Sequence, residues 1–418
     1  MAAAAALMLS GCVPEQKDGQ TSILYAFWGS VEQVRIEREV IEAFEKANPD
    51  IRVNMLPIGS RYSDKIQAMF VGNVAPDVMM LGMPHYWDWS AKGLLENVDD
   101  LLPPARVEEL MPAARRAFER GGHFYAVPVH VGGHVMFLNL TALRAAGVDP
   151  DSLTTWDAIL EAAPRLAARG GGSGTVTDFA FMIPQAMSVI WSFGGRIFDD
   201  HFDPQRVTIE SPETLAALRF LRQLHASPFS VPHEMLGDQG GYTLFRDGRI
   251  AIYFNGRWIT PEFAGIKSFE WDVRPIPSAG GGAVTHLFGG ALGIWSKSRN
   301  KEAARRFVEF YTCGEGMDIL MRGGRYTPVF RRAAYGDAFL SMRPPASMKV
   351  FSETMEEGKG DYPLFASSSL KVGEIIRGRI EQLFSQPGIP EEQILKGLRE
   401  DLEHWLSRRK RATGKGEM

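Results

Sequence analysis

Cysteine is almost absent: 418 residues contain only Cys12 and Cys313. A disulfide framework is therefore not expected, and apolar burial must hold the fold. Cys313 falls in the apolar pattern of Phe307, Phe310 and Tyr311 and reads as a small buried hydrophobe rather than a nucleophile. An excess of charge of one sign is also missing. The 46 Lys and Arg nearly balance the 50 Asp and Glu, leaving −4, which gives no electrostatic case for a nucleic-acid partner. No apolar run is long enough to cross a membrane as a helix. The familiar signatures of chemistry are lacking too. Nine His are scattered along the chain, and no Cys cluster accompanies them. His130 and His134 would point the same way on an extended segment, but no Glu follows in the zinc-protease arrangement. No serine sits in a Gly-x-Ser-x-Gly elbow. Gly170-Gly-Gly-Ser-Gly174 lacks the Lys-Ser/Thr of a phosphate loop and reads as a surface loop. Asp and Glu mostly occupy polar helix faces, so no acid–base pair can be named. No catalytic residue, metal site or cofactor is expected.

What the chain does have is length and aromatic rings. So many residues argue for two or three lobes rather than one core. Aromatics make up 11%, including 9 Trp and 25 Phe. Most of these must be core, but rings at a cleft suit ligands with flat apolar faces. The amino terminus carries a processing signal. Met1 to Leu9 is a short apolar run closed by Leu9-Ser10-Gly11-Cys12. It is too short to span a membrane, reads as a signal-peptide core, and resembles the lipobox of bacterial lipoproteins. That resemblance implies lipidation at Cys12 and an exported chain anchored to a membrane surface. One departure is that no Lys or Arg precedes the run. Residues 13–20 are polar and read as a tether.

From residue 21 the order is β-α-β-α-β. Strands are expected at Ile23 to Phe27, through Ile51, Val53 and Met55, and at Asp77 to Leu81, with helices between them. This is the rhythm of a parallel sheet wrapped by helices. Ala126-Val-Pro-Val-His130 and Val131-Gly-Gly-His-Val-Met-Phe-Leu-Asn139 read as one extended path, whose double glycine marks a crossing between lobes. Thr155, Ser211-Pro212 and Asn300 read as helix starts. The stretch around which the chain is organised is Asp247-Gly-Arg-Ile-Ala-Ile-Tyr-Phe-Asn-Gly-Arg-Trp258. Ile250 to Phe254 has the continuous apolar character of a buried strand. Ligands of open α/β sheets sit beyond the carboxyl ends of strands, and Asn255 and Trp258 fall there. Two readings stand at this point: a ligand-facing ring and amide, or a plain turn followed by a core Trp.

The ordered motifs resemble the extracellular solute-binding proteins of ABC importers, family 1, the maltose-binding-like group. The resemblance runs through Phe44-Glu-Lys-Ala-Asn-Pro-Asp-Ile51, Ala75-Pro-Asp-Val-Met79, Tyr125-Ala-Val-Pro128, Met136-Phe-Leu-Asn139 and Ala146-Gly-Val-Asp-Pro150. It continues with Phe245-Arg-Asp-Gly248, Asn255-Gly-Arg-Trp258, Gly289-Gly-Ala-Leu-Gly-Ile294 and Tyr326-Thr-Pro-Val329. It implies an α/β fold of the periplasmic-binding-protein type II kind, with two discontinuous lobes joined by hinge segments. Residues 1–20 would be signal and tether, 21–129 plus 285–328 the first lobe, and 130–284 plus 329–418 the second. Hinges would fall near His130-Val131, Val284-Thr285 and Val329-Phe330. The implied ligand is a sugar or oligosaccharide, the implied partner a membrane permease, and the expected state a monomer. Alternatives are a polyol or glycerol phosphodiester on the same scaffold, a sensory ligand-binding module, or a carbohydrate-active enzyme. Motif positions carry over as ligand-binding residues: Trp28, Met83, His85, Tyr86, His130, Gly132, Trp191, Phe193, Asn255, Trp258, Phe288, Gly289, Arg325 and Tyr326.

Overall fold

In the computed structural model the described residues are 19–29, 31–167, 177–232, 235, 240–366 and 369–412. Cys12, the loop 170–174 and the end of the tail lie outside them. Among the described residues ten strands follow in chain order: β1 (Thr21–Phe27), β2 (Ile51–Pro57), β3 (Val78–Gly82), β4 (Val127–Gly133), β5 (Val135–Asn139), β6 (Phe179–Phe181), β7 (Ile250–Asn255), β8 (Trp271–Arg274), β9 (Thr285–Ile294) and β10 (Gly360–Asp361). They form two sheets. The first has the order β10-β9-β3-β1-β2, with β4 also paired to β9, and the second has the order β6-β7-β5-β8. β1 runs parallel to β2 and β3, whereas β9 runs antiparallel to β3 and β4. In the second sheet β7 is parallel to β6 and antiparallel to β5. The chain is thus a two-lobe α/β protein.

The expected β-α-β-α-β opening is present, and its apolar patterning explains it. Ile23, Tyr25 and Phe27 alternate inward on β1 and meet Phe44 of the helix Val31–Ala47 in the first core, with Phe307 and Tyr311 from the helix Lys301–Thr312. The second core gathers Trp156, Phe181, Phe198 and Leu218 with Leu398 and Leu402, the stripe foreseen in the last helix. A third cluster around Phe137 joins Phe245, Phe263 and Trp271. Two of the three expected helix starts are capped as read. Thr155 Oγ1 accepts from Ala158 N at 3.2 Å, and Ser211 Oγ from Thr214 N at 3.2 Å. Asn300 differs: it precedes its helix, but its side chain makes no cap hydrogen bond, and its amide nitrogen donates to Ser22 O at 3.1 Å. Cys313 also differs, since it is only half-buried where that helix ends.

The chain changes sheet at His134, between β4 and β5. His130 to Gly133, allotted above to the second lobe, pair with β9 in the first sheet. β10, allotted there as well, pairs with Thr285 and His286 of β9. The crossing is tight. A Cβ on Gly133 would lie 1.9 Å from Thr285 Cγ2, Thr285 Oγ1 donates to His134 O at 2.8 Å, and Gly133 N donates to Thr354 Oγ1 at 3.1 Å. Three strands of chain passing between lobes meet at this one point, and only a glycine leaves room for them.

Candidate ligand-binding cleft

A cavity of about 480 Å³ opens where the carboxyl ends of β1 and β3 face the second sheet. That size falls within the usual range of small-molecule sites. β1 delivers Trp28 and Gly29, and Gln33 follows in the first turn of the next helix. β3 delivers Gly82, and the helix Met83–Ala91 begins at once, so Met83, Pro84 and His85 reach the wall from its first turn. β4 supplies His130, and β9 supplies His286 to Gly289. Arg325 and Tyr326 come from the turn after the helix Glu315–Arg322, Trp258 from the turn after β7, and Tyr362 from just beyond β10.

Rings define the surface. His130 stacks on Tyr326 with centroids 4.4 Å apart and planes at 11°. Phe288 stacks on His134 at 4.8 Å and meets Trp258 edge-on at 5.3 Å, so rings of the two sheets touch across the cleft. Trp28 is held edge-on by Tyr62 at 5.1 Å. Glycines make these placements fit. A Cβ on Gly256 would fall 2.0 Å from the Trp258 ring, and one on Gly290 would fall 2.6 Å from His130 Nε2. The imidazoles are neutral, because burial pulls His85 down to about 4 and His130 and His286 down to about 3. Among the described residues, His130 Nε2 and His286 Nδ1 are buried without a hydrogen-bond partner. Unpaired polar atoms at a wall are costly unless something else pairs them.

Behind the wall lies a buried carboxyl. Gln33 Nε2 donates to Tyr326 Oη at 3.0 Å and to Glu37 Oε1 at 2.6 Å. Tyr311 and Tyr25 donate to Glu37 at 2.8 and 3.2 Å. Glu37 is 0% exposed, and burial lifts its carboxyl to about 7 although the three donors pull the other way. Among the described residues Arg325 is the one cation at the wall, and it is committed elsewhere: Arg325 Nη1 lies 2.8 Å from Glu262 Oε1, tying the first lobe to the second. Arg257 is buried over the Phe339 ring at 4.8 Å. Among the described residues no group of three or more His, Cys, Asp or Glu could hold a metal ion.

Of the fourteen residues carried over from the resemblance, nine line this cavity: Trp28, Met83, His85, His130, Trp258, Phe288, Gly289, Arg325 and Tyr326. Five do not. Tyr86 lies in the first core with its hydroxyl on Phe118 O, because the helix starting at Met83 turns the fourth residue inward. Gly132 does not line the cavity itself but a small gap of about 10 Å³ that borders it, sharing His130, Trp258 and Arg325. Trp191 is buried on the helix Ala186–Ser192, stacked behind His286 at 5.8 Å. Phe193, at the end of that helix, packs on Phe220 at 5.5 Å. Asn255 spends its side chain locally, donating to Tyr253 Oη and accepting from Gly256 N at 2.8 Å. Sequence reasoning missed Gly29, Gln33, Gly82, Pro84, His286, Leu287 and Tyr362. His286 had a usable signal, since it shares a strand face with Phe288. Gln33 was absorbed into the helix start. Tyr362 had none, because it depends on the long-range pairing of β10 with β9.

Comparison with known proteins agrees with this fold. The arabinooligosaccharide-binding protein of Halalkalibacterium halodurans is 23% identical over 71% of this chain and 68% of its own. The mannitol-binding protein of Pseudomonas aeruginosa is 24% identical over 86% of this chain and 85% of its own. Among solved structures, an ABC substrate-binding protein from Listeria monocytogenes in complex with cycloalternan superimposes with a TM-score of 0.81 at 24% identity, covering 93% of this chain and 99% of that one. Residues 28–313 match the family described as bacterial extracellular solute-binding protein, and the chain belongs to that family.

Proposed function

We propose that the protein is the capture component of an ABC importer, holding a saccharide between its lobes and delivering it to a membrane permease. The observation that carries this reading is the character of the cleft. Trp28, Trp258, Phe288, Tyr326 and Tyr362 line it together with the amide of Gln33 and the imidazoles of His85, His130 and His286. Pyranose and furanose rings offer apolar C–H faces for such stacking and hydroxyls for such groups. Relatives named for arabinooligosaccharide and maltotriose binding support it. The lining carries no carboxylate among the described residues, so it offers binding groups rather than the paired acids of a glycosidase. A phosphodiester is disfavoured because Arg325 is already paired with Glu262.

In this reading the lobes hinge at the meeting point of Gly133, Thr285 and Thr354 and close on the ligand, and the protein acts as a monomer tethered through lipid on Cys12. Calorimetric titration with mono-, di- and trisaccharides and polyols tests the ligand class. Binding of a saccharide that Trp258→Ala weakens sustains the reading, and silence toward every saccharide defeats it. Labelling with a palmitate analogue in the producing cell, lost in Cys12→Ser, tests the anchor.

A further inference from the structure

Arg257 stands one residue before Trp258 and is buried where Trp258 lines the cleft, only 3% exposed. Its Nη1 donates to Thr260 Oγ1 at 3.2 Å and to Gly324 O, and its Nη2 to Met342 Sδ at 3.3 Å. All three acceptors are neutral. Among the described residues Nε is buried without a hydrogen-bond partner and the side chain makes no ion pair. Burial alone pulls the guanidinium down to about 9, with no carboxylate near enough to offset it. The rings of Phe339 and Phe351, at 4.8 and 5.9 Å, soften the charge without cancelling it. A buried cation with neutral partners only is costly, and what relieves it is an anion.

Arg257 lines the gap of about 10 Å³ that borders the cleft, together with Arg325 and Thr327, and no carboxylate lines it among the described residues. Arg325 has its charge matched by Glu262, so the uncompensated charge there belongs to Arg257. Hydroxyls approach the same space: a Cβ on Gly132 would lie 3.6 Å from Thr327 Oγ1 and 3.8 Å from Thr354 Oγ1. A gap of this size holds about one water-sized sphere. It excludes sulfate, phosphate and carboxylates and admits a monatomic ion. We propose that the gap is a halide site, in which chloride between Arg257 and Thr327 supplies the missing counter-charge. Arg257 follows β7 of the second sheet, and Thr327 lies between Tyr326 and Val329 of the first core, so the ion ties the two lobes together behind the cleft wall. A water molecule in the same place satisfies a donor but leaves the charge. The inference does not depend on what the cleft holds.

The test uses the full chain, produced without lipidation, in sodium chloride, bromide or gluconate at one ionic strength. Replacing gluconate by chloride is expected to raise the melting temperature saturably, by roughly 2 °C, and bromide to act as chloride does. Arg257→Met keeps an unbranched side chain without the charge and is expected to abolish the response. Thr327→Val is expected to raise the chloride Kd at least fivefold. Crystals soaked in bromide are expected to show an anomalous scattering peak between Arg257 and Thr327. A melting temperature indifferent to the choice of anion overturns the inference, as does an equal rise in Arg257→Met. A gap that holds water with no bromide peak overturns it too. A bromide peak with no thermal response marks an adventitious ion only, and counts against the proposal in the same way. If Arg257→Met fails to fold, Thr327→Val and the bromide crystals decide.

Discussion

Trp258 shows how much one side chain depends on its neighbours. Its indole occupies the space a Cβ on Gly256 would need and abuts Phe288 from the other lobe. Trp258→Ala is expected to weaken saccharide binding by about thirtyfold, on the order of 2 kcal/mol, with the melting temperature nearly unchanged, as titration and calorimetry would report. Glu37 makes a different prediction. Its folded carboxyl titrates at about 7 against an ordinary 4.5. Between those values the folded protein holds more protons than the unfolded chain, so stability falls as pH rises through the window and is level above it. Lifting the carboxyl that far costs roughly 3 kcal/mol. Glu37→Gln does not titrate. Urea denaturation from pH 4.5 to 8 should therefore show wild type losing about that much relative to the variant, and parallel curves would refute it. At this scale the sequence was legible where a residue follows directly from a strand end, as with Trp28 and Trp258. It misled where a helix carries the residue: Tyr86 and Trp191, carried over as ligand-binding, are turned into the cores by helical periodicity.

At the scale of elements, the crossing of β4 into β5 is the sharpest feature. The double glycine was legible as a crossing, but its reason lies in Thr285 and Thr354, which approach from far along the chain. Gly133→Ala forces a methyl against the Thr285 side chain and is expected to lower stability by about 2 kcal/mol, seen as a lower urea midpoint. Gly147 has open space around a Cβ but a φ of +62°, so Gly147→Ala is expected to cost only about 1 kcal/mol, from backbone strain alone. Strands β1 and β2 could be read from apolar patterning because they pair with each other across a short stretch of chain, and β3 from its continuous apolar run. β10 could not, since two residues carry no periodicity and its place is set only by β9.

At the scale of the whole molecule, the lobes are joined by covalent crossings and by side-chain ties such as Arg325 to Glu262, which is largely shielded from water. Glu262→Gln is expected to remove about 1 kcal/mol of that tie. Without ligand this shifts the lobes about fivefold toward the open arrangement, which small-angle scattering would record as a larger radius of gyration. The two-lobe architecture was legible from motif order, whereas the assignment of 130–133 and 360–361 was not, because sheet membership is decided by pairing across long separations. That same separation governs how the chain comes into being. β3 ends at Gly82 and its antiparallel neighbour β9 begins at Thr285. At ordinary synthesis rates about two hundred intervening residues take roughly ten to forty seconds to appear. Throughout that interval the edge of β3 facing β9 stays unpaired and the first lobe cannot finish folding, so the nascent chain remains loose until β9 has been made.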